Sequence, residues 1–140
     1  MTIIIKSGGI IYKKINKKNH LLLIGVAEEL ENEEIKINWQ FPKGKLEEKE
    51  ELAECALREV FEETSVKCEI DEFLDKFEFM GKKKSQLIYY YMMKPISEGL
   101  FTPDKKIQKI KWVPIDKIEI NRFITGEFLA KIKKFLDEKN

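Results

Sequence analysis

The chain has 140 residues, 43% of them hydrophobic, enough to bury one sizeable core, and a single domain over residues 1–140 is expected. Charged residues make up 36%, yet 26 Lys plus Arg stand against 25 Asp plus Glu, a net charge of only +1. That balance excludes a global field that recruits nucleic acid, so any polyanion has to be met by a local patch.

Residues 1–12 lack the charged start, continuous apolar stretch and small-residue cleavage site of a signal peptide, and no apolar run is long enough to span a bilayer. A cytoplasmic protein without membrane association, monomeric or homodimeric, is expected. Cys55 and Cys68 are too few and too unevenly spaced for a disulfide framework or a zinc site, so both read as reduced packing residues.

Residues 3–14 are rich in Ile and interrupted by Ser7, Gly8 and Gly9, the pattern of a strand with a close-packed or bulged segment. A polar turn at 16–19, next to the single His20, leads to a buried strand at 21–26. An acidic connection at 27–36 follows, then a short strand at 37–41 with Trp39 and Phe41 on one face and Gln40 on the other. Pro42 fixes φ and Gly44 permits a positive φ, so a sharp turn flanked by Lys43 and Lys45 reads as a phosphate cradle. Residues 50–64 have helical periodicity, with Leu52, Ala53, Ala56, Leu57 and Val60 on the core face. Strands are expected at 66–80 and 86–93 around a basic turn at 81–84, and another at 107–113. A helical turn at 115–119 and an amphipathic helix at 123–138 complete the chain, with no repeat or linker.

The helix at 50–64 places Glu59, Glu62 and Glu63 within one arc beside the core face, whereas Glu50, Glu51 and Glu54 lie further round towards solvent. Arg58 lies between the groups, four residues from both Glu54 and Glu62. Carboxylates in a last helical turn are disfavoured by about 0.3–1 kcal/mol each, so a compensating cation is expected. Without nearby His or Cys, such a cluster suits Mg2+, or Mn2+ in its place, and a metal beside a phosphate cradle suggests hydrolysis at phosphorus. On periodicity alone, a solvated glutamate-rich face explains the same residues.

Gly44, Glu50, Arg58, Glu59, Val60, Glu62, Glu63 and Val66 stand as G-x5-E-x7-R-E-V-x-E-E-x-S-V. This resembles the Nudix box, G-x5-E-x7-R-E-U-x-E-E-x-G-U, where U is aliphatic; Ser65 departs from the glycine that closes the helix there. Residues 7–12 resemble the family's first core strand, and Trp112-Val113-Pro114 the strand before its last helix, so nearly the whole chain is covered. The resemblance implies an α/β/α sandwich around a mixed sheet, with the box helix on one side and the C-terminal helix on the other. It also implies Mg2+-dependent hydrolysis of a nucleoside diphosphate linked to a group X. Carried over by position, Glu59, Glu62 and Glu63 are metal ligands with the Gly44 carbonyl, Glu59 orients or deprotonates water, Arg58 orients the glutamates, and Glu50 supports the loop or the metal. Many members add an acidic residue from a late loop. Here Lys106 stands where a Glu commonly precedes the strand, leaving Asp104, Glu98 or Glu59 alone as base.

The segment from Trp39 to Gly44 resembles the W-x-F-P-K-G approach of the dinucleoside polyphosphate, diphosphoinositol and RNA-decapping branches, and Lys43 adds a cation suited to a polyphosphate. Tyr90, within Tyr89-Tyr90-Tyr91, is the expected aromatic contact to base or phosphate, and Lys82, Lys83 and Lys84 either extend a phosphate path or cap a hairpin. The expectation is asymmetric cleavage of diadenosine tetraphosphate or a related small-molecule nucleotide. Removal of pyrophosphate from RNA 5′ ends, nucleoside triphosphate cleansing and diphosphoinositol hydrolysis are the enzyme alternatives. A catalytically silent nucleotide-sensing module is the alternative of another class.

Overall fold

The apolar stretches 10–11, 21–24 and 92–93 are continuous rather than alternating, as befits strands buried on both faces. In the computed structural model, which describes residues 2–81 and 83–139, the first of these lies in β1 (Thr2–Ile15) and the second in β2 (Lys18–Glu29). There follow β3 (Ile35–Gln40), β4 (Lys43–Lys45), α1 (Leu52–Thr64), β5 (Val66–Met80), β6 (Lys84–Glu98), β7 (Ile107–Pro114), a 3-10 turn at Ile115–Lys117, and α2 (Gly126–Lys139).

The seven strands form one mixed sheet in which β1 is the hub. It runs parallel to β6 from Thr2 opposite Lys84 to Ile11 opposite Met93, antiparallel to β4 over residues 6–8, and antiparallel to β2 at its far end. β2 also pairs with β3 and β7, and β5 edges the sheet beside β6. Successive residues point to opposite faces. Ile10, Leu21, Leu23, Tyr90 and Met92 therefore pack with Phe128, Leu129, Ile132 and Phe135 of α2. Ile11, Leu22 and Met93 pack with Ala56 and Val60 of α1. The expected sandwich, one helix on each face, is what the chain adopts.

Several boundaries differ from expectation for local reasons. Pairing of β2 with β3 continues to Glu29 opposite Ile35, so the acidic connection shrinks to 30–34, and His20 lies inside β2 with Nδ1 2.9 Å from the Lys18 carbonyl. β6 runs on to Glu98, with Pro95 tolerated because the register of β5 and β6 shifts beside it. α2 begins at Gly126 because Asn121 Oδ1 accepts the Phe123 and Ile124 N–H groups at 2.7 and 2.9 Å, closing a separate turn first. Lys82 of the basic turn lies outside the described residues.

Residues 43–45 are a short strand rather than a turn, and Gly44, like every described glycine, has no positive φ. At the end of α1 the left-handed residue is Ser65, at φ 63° and ψ 18°, which closes the helix by donating its N–H to the Phe61 carbonyl at 2.8 Å and accepts the Gly99 N–H at 2.8 Å. A left-handed L residue costs about 1–2 kcal/mol, and part of that gain is lost to the greater unfolded freedom of glycine. Ser65→Gly is therefore expected to raise the unfolding free energy by about 0.5–1 kcal/mol in urea melts.

Candidate functional site

The last two turns of α1 are tied together by Arg58. Its Nε and Nη2 donate to the two Glu50 carboxylate oxygens at 2.6 and 3.0 Å, and Nη2 also donates to the Lys45 carbonyl at 3.1 Å. Nη1 donates to Glu59 Oε1 at 2.8 Å and to Glu62 at 3.1 and 3.2 Å. The planar fork suits this task, because its five N–H groups radiate in fixed directions. Those hydrogen bonds hold the Glu50 carboxyl down at about 2. Glu50 precedes the helix and its side chain is 12% exposed, which corrects the expectation that it faces solvent. Glu54 does not pair with Arg58; its carboxylate accepts the Glu51 N–H at the start of α1.

The strand β4 lies directly beside this helix end. A Cβ placed on Gly44 would sit 2.0 Å from the Glu59 carboxylate, so glycine serves close approach here, not backbone reversal. The buried Cys55 thiol donates to the Gly44 and Lys45 carbonyls from beneath, and burial pushes it up to about 12, consistent with a packing residue. Glu63 Oε1 accepts the Lys43 N–H at 3.1 Å, and the Lys43 ammonium reaches Gln40 Oε1. Burial raises the Glu63 carboxyl and lowers the Lys43 ammonium, each opposed by the other's charge.

Glu59 and Glu63 thus face a cavity of about 300 Å3 whose walls include Gln40, Gly44 and four lysines, Lys6, Lys43, Lys45 and Lys106. The sequence reading missed Lys6 and Lys106 as site residues, although Lys106 had announced itself by standing where a Glu was expected. The alternation of β3 had already turned Gln40 away from Trp39 and Phe41.

Other expectations need correction. Glu62 is not drawn into the shared volume; its side chain is 55% exposed and pairs with Arg58 one turn earlier. Among the described residues no three His, Cys, Asp or Glu side chains stand close enough together to hold a metal ion. Tyr90 is 2% exposed, wedged between Phe41, which it meets edge-on with centroids 5.8 Å apart, and Phe128, tilted at 5.5 Å, so its ring offers no face to a base. Asp104 Oδ1 accepts the Lys106 and Ile107 N–H groups of its own loop, and Glu98 is held by Lys13 at 2.7 Å and Trp112 Nε1 at 3.0 Å. Neither carboxylate lines the cavity.

The donors that remain fit a hard cation. Two carboxylates and the Gly44 peptide supply only oxygen, and the missing Cβ leaves Glu59 against the strand.

Arg58 makes Glu50 a test of the network. A carboxyl whose folded value is depressed stabilises fully above its ordinary value, near 4.5, and loses that contribution as pH falls towards about 2. Glu50→Gln is expected to lower stability by about 1–2 kcal/mol at pH 7, with the gap to wild type narrowing below about pH 4.5 in denaturant titrations.

A family model described as the NUDIX domain matches residues 9–133. Among curated proteins, Nudix hydrolase 8 of Arabidopsis thaliana is 30% identical over 95 residues, covering 66% of this chain and 26% of that protein. The m7GpppN-mRNA hydrolase dcap-2 of Caenorhabditis elegans is 33% identical over 110 residues, covering 72% of this chain and 14% of that protein. The chain therefore spans well under half the length of these relatives. Among solved structures, a C. elegans Ap4A hydrolase binary complex superposes with TM-score 0.74 at 22% identity, covering 96% of this chain and 98% of that one. A UDP-X diphosphatase superposes with TM-score 0.76 at 19% identity, covering 100% and 66%. Those two share the fold. With the model matching nearly end to end and the box residues gathered at one helix terminus, this chain belongs to the NUDIX domain family.

Proposed function

We propose that the chain is a single-domain hydrolase of phosphoanhydride bonds in nucleoside diphosphates linked to a group X, dependent on Mg2+ or Mn2+. Its preferred substrate in this reading is a dinucleoside polyphosphate such as diadenosine tetraphosphate, cut asymmetrically. The observation that carries the reading is the cavity in which Glu59 and Glu63 lie beside Gly44 and face four lysines.

Glu59, Glu63 and the Gly44 carbonyl would hold the cation, while Glu62, outside the cavity, would act through its pairing with Arg58. When bound, such an ion neutralises phosphate charge and supplies Lewis acidity at phosphorus. The remaining work falls to the protein. Lys43 and Lys45 bind phosphate oxygens as the chain enters. Arg58 fixes the direction of Glu59 through their 2.8 Å contact, and Glu59 orients the attacking water and takes its proton. The late-loop alternatives for that role, Asp104 and Glu98, are committed to other partners.

Preference for a long polyphosphate is supported by the excess of lysines over carboxylates along the cavity wall. Structural likeness to the C. elegans Ap4A hydrolase agrees with it. A second reading, pyrophosphate removal from RNA 5′ ends, is favoured by the similarity to an mRNA hydrolase. Cytoplasmic location fits either, and no helix among the described residues is long and apolar enough to cross a membrane. A silent nucleotide-sensing module is disfavoured by the presence of all the box glutamates.

A substrate panel in oxygen-18 water with Mg2+ tests the reading: ATP plus AMP from diadenosine tetraphosphate is expected, whereas release of pyrophosphate from triphosphorylated RNA would replace it with the second reading. Turnover of nothing in the panel would end both. Glu59→Gln and Glu63→Gln should each cut kcat by about a hundredfold or more, and either variant staying within about threefold of wild type would overturn the site assignment. Gly44→Ala displaces the free end of the Glu59 side chain rather than backbone. It should lower kcat/KM by about tenfold or more while shifting stability by less than about 1 kcal/mol in thermal melts.

A further inference from the structure

Two of the four cavity cations, Lys6 and Lys106, enter the reading above only through their charge. Lys6 is half-buried on β1, with its Cα in register opposite Lys45 of β4. Lys106 ends the loop before β7, and its carbonyl accepts the Ala27 N–H at 2.7 Å, which anchors that loop to β2. Both line the cavity that holds Glu59 and Glu63. Among the described residues neither ammonium has a carboxylate within ion-pair distance.

Like charges gathered in a half-enclosed space repel one another more than they would in open water. The ammonium of Lys6 accordingly lies below its ordinary value, first through burial and then through Lys106 and Lys45, with Glu63 and Glu59 opposing. Strand register and an anchored loop hold this arrangement, so the repulsion is built into the folded chain before any ligand arrives. Asp104, the acid of the same loop, turns back onto its own backbone, which leaves Lys106 as the charged group that the loop gives to the cavity. Four ammonium groups against two carboxylates leave the cavity wall with two positive charges in excess. A linear polyanion with charge at regular intervals answers that excess, and a single phosphate reaches only part of it.

We propose that Lys6 and Lys106 form a second phosphate seat in this cavity, which binds chains of three or more phosphates without a metal ion and so sets chain-length preference. The chemistry is shared by inorganic oligophosphate and by the phosphate bridge of a nucleotide. The preference among substrates rests on the hydrolytic reading above, whereas the metal-free binding does not.

Calorimetric titration in metal-stripped buffer uses sodium tripolyphosphate and orthophosphate as probes. Wild type should bind tripolyphosphate at least about tenfold more tightly than orthophosphate, with affinity falling as salt rises. Lys6→Met and Lys106→Met should each weaken tripolyphosphate binding about fivefold, Lys106→Arg should restore it, and Lys133→Met, exposed on α2, should leave it unchanged. With Mg2+, the double Met variant should lose about tenfold more kcat/KM on diadenosine tetraphosphate than on a nucleoside diphosphate sugar. Tripolyphosphate binding by the Met variants equal to wild type overturns the seat, even if turnover is intact. Equal losses on both substrates overturn its role in chain length. The expected binding pattern with no turnover of any substrate supports the seat and overturns the hydrolytic reading alone.

Discussion

The Arg58 guanidinium is the constraint on which the site depends. It spans from the segment before α1 to the helix's last turn, and it holds Glu50, Glu59, Glu62 and the Lys45 carbonyl at once. A half-buried charge with this many partners is costly to disrupt, since removing one member of such a pair strands the others. The same network answers the electrostatic problem of an acidic helix terminus. Glu59 and Glu62 are compensated by Arg58, and Glu63 by a backbone N–H and a neighbouring ammonium. The excess negative charge at the end of α1 is thus met within the protein.

Two residues show how backbone requirements are distributed around that network. Gly44 is needed for contact, because any side chain there would occupy the position of the Glu59 carboxylate. Ser65 is needed for shape, ending α1 in the left-handed region where glycine would be more comfortable. The strain at Ser65 is local: its N–H and carbonyl both have partners, and β5 begins in register at the next residue. The departure from the box pattern at this position leaves the placement of the glutamates intact.

The cavity combines acid and base from distant parts of the chain. Its carboxylates come from one helix, while its cations come from β1, from β4 and from the loop before β7. Helix geometry alone can cluster the first. The second exists only because β1 lies between β4 and β6, and β2 carries both β3 and β7. A late-loop lysine in place of an acid makes the cavity more cationic.

Much of this protein is determined by short-range sequence alone. Helical periodicity and the spacing from Gly44 to Val66 located α1 and its glutamates, because residues within a few turns of a helix have fixed relative directions. Continuous apolar stretches marked strands buried on both faces, hence a layered fold. Tertiary structure decided what depends on neighbours remote in sequence. Alternation separates Tyr90 from Tyr89 and Tyr91, but only the packing of α2 shows that Tyr90 lies on the covered face. Glu62 and Glu63 are adjacent and chemically alike; Arg58 takes one outward and the β4 backbone takes the other inward. Lys6 and Lys106 share a cavity across a hundred residues of chain because sheet register and an anchored loop bring them together, and periodicity carries no information over that distance.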